Sequence, residues 1–160
     1  MINSNNKPSG FKKNNKIKKK KGGGNLDKKL NEAIVLINQG KLEDAENLYR
    51  ELISSGIENH IVYGNLASLS GTKGKTDEMI NLLKHALRIQ PNYIGAHYNL
   101  GNAFKQKGNL KDAIYSYEKA LELNPKFQDA HNNLGIIFLE QGRTTAAIKS
   151  LQNAIKINPK

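Results

Sequence analysis

Four asparagines, Asn31, Asn65, Asn99 and Asn133, stand 34 residues apart. Each side-chain amide offers a donor and an acceptor, so it can pair with both polar groups of a peptide backbone. A ladder of such amides would hold an extended chain with little regard to its side chains. Other reactive residue types fall into the same register and are explained by it. His97 and His131 are one step apart and share a column with Tyr63, a place for bulky packing residues. Neither an HxxxH pair nor any Cys is present to complete a metal site. Asp129 and His131 come without a nucleophile elbow. Gly22-Gly23-Gly24 lacks the strand and helix that a phosphate loop needs. No catalytic constellation and no cofactor fingerprint emerges, which points to binding and away from catalysis.

The elements that position the amides can be read from the same period. Gly40, Gly74, Gly108 and Gly142 keep the 34-residue step, as do Pro91, Pro125 and Pro159. Between Ile94 and Lys107, His97, Leu100, Gly101 and Phe104 fall at i, i+3, i+4 and i+7, one face of a helix. Gly108-Asn109 breaks it. Leu110 to Leu123 then places Ala113, Tyr117, Ala120 and Leu121 on the facing stripe of a second helix. Asn124-Pro125 ends that helix, since proline lacks the amide donor and disfavours a helical residue before it. The next repeat copies the pattern with His131, Leu134, Gly135, Phe138, Ala147, Leu151 and Ala154.

The two upstream repeats are looser. Tyr63, Leu66, Ala67, Met79, Leu83 and Ala86 keep their columns, but Gly64, Ser68, Ser70 and Gly71 are poor helix formers, so this helix is expected to be the softest. The first repeat keeps Gly40, Ala45, Tyr49 and Leu52, yet puts Lys29 and Glu32 in core columns and Ile57 in place of the proline.

These columns resemble the tetratricopeptide repeat (TPR), with Ile94 to Phe127 close to its consensus and Leu26 to Lys160 covered. The resemblance implies an all-α, right-handed α-solenoid of four helix-turn-helix repeats, at about 26–59, 60–93, 94–127 and 128–160. It also implies a protein-interaction scaffold that takes a peptide or partner protein on its concave wall. On the face beside the core stripe, it assigns peptide contacts to Asn65, Asn99, Asn133, Asn102, Tyr98, Asn132 and Lys105. The amide column is similar to the asparagine ladder of O-linked N-acetylglucosamine transferases, so an accessory or truncated module of a larger transferase-type enzyme is the alternative. A carboxylate clamp for chaperone tails is disfavoured, because Leu30, Gly64, Gly95 and Asp129 stand where its basic residues belong.

Composition adds the rest. The formal net charge is +11, of which eight lysines in residues 1–25 carry +8, leaving +3 for the repeats. That Lys-, Asn- and Gly-rich tail is too poor in apolar groups to offset the entropy of ordering and is expected to be disordered. Its lysines could make non-specific, salt-sensitive polyanion contacts. No apolar run reaches membrane-spanning length, and the absence of Cys fits a cytoplasmic protein. On the final helix, Ala147, Ile148, Leu151, Ile155 and Ile157 include residues with no downstream repeat to cover them. The expectations are a fragment, a tolerated exposure, or self-association through this face.

Overall fold

The computed structural model describes residues 23–159. Among these residues there are eight helices and no strand. They are α1 (Gly23–Asn38), α2 (Leu42–Ser54), α3 (His60–Thr72), α4 (Thr76–Ile89), α5 (Ile94–Gln106), α6 (Leu110–Leu123), α7 (Gln128–Glu140) and α8 (Thr144–Ile157). The lysine run of the tail, and with it the expectation of disorder, lies outside the described residues. Gly23, Gly24 and Asn25, assigned above to the tail, instead form the first turn of α1. The apolar residues Leu26 and Leu30 anchor that turn to the core, which carries the helix back past its own best formers.

The period-34 glycines stop the first helix of each pair. Gly108 has φ of +73°, its amide donates to the Lys105 carbonyl, and the amide of Asn109 donates to that of Phe104. This left-handed cap satisfies carbonyls that the helix end would otherwise strand. Asn109 then starts α6, accepting from the amide of Asp112 through its side chain. Repeat 1 ends by a different route: Gly56, at φ +83°, closes α2 where the later repeats place a proline, Pro91, Pro125 and Pro159.

The described chain divides into two compact units, one up to Ile89 and one from Gln90. In the first, α1 packs on α2, α2 on α3 and α3 on α4. Its core is built from Leu30, Ala33, Tyr49, Leu52, Val62, Leu66 and Leu69. The degenerate helix α1 packs Leu26, Leu30, Ala33, Leu36 and Ile37 on this core; Ala33 and Leu36 keep the columns of Gly101 and Phe104, while Leu26, Leu30 and Ile37 lie beside them. Burying the regular columns would have brought in Lys29 and Glu32. Lys29 instead pairs with Glu51 at 2.6 Å, and Glu32 stays exposed.

Helix α3 adds a feature that propensity does not show. Read by propensity it is the softest helix, yet nine consecutive residues, Val62 to Ser70, are buried. Its small residues are what permit this. A Cβ on Gly71 would meet Met79 Sδ at 2.8 Å. The hydroxyls of Ser68 and Ser70 donate to the carbonyls of Gly64 and Leu66 one turn back, so their burial strands no polar atom. The packing of these small residues opposes their poor propensity.

In the second unit α5 packs on α6, α6 on α7 and α7 on α8, around Ala113, Tyr117, Ala130, Leu134, Ile137, Phe138 and Ala147. Gly101 lies against the Tyr117 ring, where an added Cβ would come within 2.5 Å of Cε1. His97 and His131 each bond through Nε2 to a carbonyl six residues back, that of Pro91 at 2.9 Å and of Pro125 at 3.0 Å. The two histidines clasp the turn before their own helix, a structural task that repeats with the register.

Candidate functional site

The amide column does not play one role along the chain. In the first unit Asn65 is fully buried, and its Nδ2 donates to the Tyr49 hydroxyl at 3.0 Å. Its Oδ1 is, among the described residues, the one buried side-chain polar atom with no hydrogen-bond partner. An amide so enclosed faces the interior of its unit. Asn31, in register by sequence, is exposed on the offset helix α1.

In the second unit the predicted residues come together. The Tyr117 hydroxyl donates to Asn102 Oδ1 at 2.7 Å, and Asn133 Nδ2 donates to the same oxygen at 3.2 Å. Asn133 Nδ2 also lies 3.4 Å from the Tyr98 hydroxyl oxygen. Tyr98 in turn packs on Phe127, with ring centroids 4.7 Å apart, and on Tyr117 at 5.8 Å. The result joins α5, α6 and α7 through two amides and two phenols over an aromatic floor. Burial raises both phenols above their ordinary range, Tyr117 more than Tyr98, so both stay protonated donors at neutral pH. Tyr98, Asn102 and Asn133 are half-buried, reachable from one side and braced from the other.

The remaining predicted residues flank this cluster. Asn132 is exposed on α7, Lys105 is half-buried in the last turn of α5, and Asn99 is buried. Sequence reasoning missed the phenol that holds each amide. Tyr49 precedes Asn65, its partner, by 16 residues; Tyr117 precedes Asn133 by the same 16 but donates to Asn102, the acceptor it shares with Asn133. Leu83 occupies the corresponding place before Asn99. Phe127 was also missed, because it sits in the turn that the helix periodicity leaves unread.

The first unit carries its own charged network. Glu46, buried on α2, accepts from Arg50 at 2.7 Å and from Lys73 at 2.5 Å, and Arg50 reaches on to Glu78 at 2.5 Å. Hydrogen bonds from Lys73 and then Arg50 hold the Glu46 carboxyl below its usual range, against the opposing effect of burial. This network ties α2 to the α3–α4 turn and to α4. Among the described residues no group of three His, Cys, Asp or Glu could hold a metal ion, and no helix is long and apolar enough to cross a membrane.

No curated protein matches the sequence. Solved structures do match its fold. A crystal structure of MamA aligns at 22% identity and TM-score 0.78, covering 86% of this chain and 81% of that one. YrrB, described as a TPR protein with an unusual peptide-binding site, aligns at 19% and TM-score 0.73, covering 87% and 72%. MamA 41-end from Desulfovibrio magneticus RS-1 aligns at 17% and 0.72, covering 79% and 72%. These likenesses establish the all-α solenoid fold. The family described as TPR repeat matches residues 72–108 and 101–142, and that described as tetratricopeptide repeat matches 129–160. With more than half of its length matched and helix pairs at the register of the motif, the chain belongs to the tetratricopeptide-repeat family.

Proposed function

We propose that this protein is a non-enzymatic, cytoplasmic interaction scaffold that holds an extended peptide of a partner protein across α5 and α7. The observation that carries the reading is the braced cluster of Tyr98, Asn102 and Asn133. Its amides are oriented by Tyr117 before any partner arrives, so little side-chain entropy remains to be lost on binding. Asn133 Oδ1 is left as an acceptor for a backbone N–H, and the protonated Tyr98 phenol as a donor for a carbonyl. Asn132 and Lys105 extend the contact along the two helices. Asn99 is buried, and Asn65 serves the interior of the first unit, so both are assigned a supporting role. The peptide-binding description of YrrB is consistent with such a use of this fold.

The test is affinity capture from the source lysate with the full chain and with an Asn133→Ala/Asn132→Ala variant, circular dichroism confirming equal helicity. Loss of a captured partner in the folded variant is the expected result. Equal capture by both proteins refutes the assignment of this face.

A further inference from the structure

His85, His97 and His131 are held in two different ways, and only one of them depends on the proton. His97 and His131 each present Nε2 to a backbone carbonyl. A carbonyl only accepts, so each ring donates there whether it is neutral or charged. His85, on α4, uses both of its nitrogens. Its Nε2 lies 3.0 Å from Glu58 Oε2, and its Nδ1 lies 2.7 Å from Arg88 Nη2. A guanidinium has no acceptor, so Arg88 donates and Nδ1 is the bare nitrogen of the ring. The proton of the neutral imidazole therefore sits on Nε2 and is donated to the Glu58 carboxylate. Tyr63, on α3, braces the pose. Its ring stacks on His85 with centroids 4.0 Å apart and planes 21° apart, and its hydroxyl donates to Glu58 Oε1 at 3.4 Å.

A second proton on this ring breaks one of the two contacts and spares the other. Placed on Nδ1, it sets an N–H against the N–H of Arg88 and one positive charge against another. The bond from Nε2 to Glu58 survives and becomes an ion pair. The neighbouring groups leave that outcome in place. Burial and then the Glu58 charge raise the Tyr63 phenol, so it remains a protonated donor. Arg50 of α2 reaches α4 at Glu78, about two turns before His85. We propose that His85 is a proton-controlled switch that holds Arg88 while neutral and releases it when protonated. The released guanidinium stands one turn from Lys84 on the exposed face of α4, so acid frees a cation there that is internally bonded at higher pH. This device lies within the first unit and stands independently of the α5–α7 cluster.

The test is NMR of the nitrogen-15-labelled full chain from about pH 8 to about pH 5.5, a range that spans the ordinary titration of histidine. At the upper end the His85 ring is expected as the Nε2–H tautomer, with rotation of the Arg88 guanidinium slowed by its bond. As the pH falls, that rotation should quicken along the same curve as the His85 ring signals. His85→Gln removes the titration and keeps a side chain that can donate to Glu58, so Arg88 should show no change over this range. Circular dichroism confirms that the variant keeps its helicity. An Nδ1–H tautomer at high pH, an Arg88 signal that does not follow the His85 curve, or an equal change in His85→Gln overturns the proposal.

Discussion

The same substitution made two repeats apart separates an amide locked in the interior from one held for use. Tyr49 and Tyr117 are both fully buried, and each hydroxyl meets an asparagine amide, Asn65 of the next repeat for Tyr49 and Asn102 of its own repeat for Tyr117. Tyr→Phe removes only the hydroxyl, so ring packing is preserved in each case. At Tyr49 the hydroxyl is the acceptor for Asn65 Nδ2, and Asn65 Oδ1 already has no partner. Tyr49→Phe deprives that fully buried amide of the bond to its phenol. The cost is about 1 kcal/mol for the bond plus about 1–2 kcal/mol for the stranded donor, or roughly 2–3 kcal/mol. At Tyr117 the acceptor, Asn102 Oδ1, keeps Asn133 Nδ2 and is half-buried, so water can replace the lost donor. Tyr117→Phe should cost about 0.5–1 kcal/mol. Equilibrium urea unfolding measures both, with amide hydrogen exchange assigning each loss to its own unit, since repeat arrays need not unfold in one step. Equal costs, or a larger cost at Tyr117, would refute the distinction between the two amides.

Further expectations follow from the turns, the helix contacts and the buried charge. Gly108→Ala places a side chain at φ +73° and should destabilise by about 1–2 kcal/mol in thermal unfolding, with no loss from contacts because open space surrounds that Cβ. Gly101→Ala puts a Cβ within 2.5 Å of the Tyr117 ring and should cost about 1–3 kcal/mol while disturbing the hydroxyl bond to Asn102, which a changed tyrosine fluorescence would report. Glu46 has its carboxyl lowered below 4.5 in the folded state, so its contribution is complete above the unfolded value and disappears as pH falls below it. Stability measured from pH 6 down to about pH 3 should therefore fall more steeply in the wild type than in Glu46→Gln. Identical slopes would contradict the network.

The helix pairs were legible because the glycine and proline stops and the apolar columns are local signals, each enforced by backbone geometry. The offset of α1 was partly legible, since Lys29 and Glu32 announce that the regular columns cannot be buried there, though not which residues replace them. The extent of burial of α3 was not legible. Gly64, Ser68 and Gly71 signal weakness in isolation and close approach in a packed unit, and composition does not distinguish the two. At the candidate site the amide register was visible, but its division into interior and accessible members was not. That division depends on which phenol reaches which amide across neighbouring helices, and on how much solvent is left around them. The spacing of 16 from Tyr49 to Asn65 carried half of this information for the first unit, whereas in the second unit Asn102 stands between Tyr117 and Asn133. The burial of Asn65 carried the other half, and only packing supplies it.

The central claim is that α5 and α7 form the peptide-holding face. Hydrogen–deuterium exchange on the full chain, with and without a captured partner, tests it most directly. The account predicts added protection over Ile94–Gln106 and Gln128–Glu140, lost in the Asn133→Ala/Asn132→Ala variant. A bound partner that leaves both helices unprotected would contradict it.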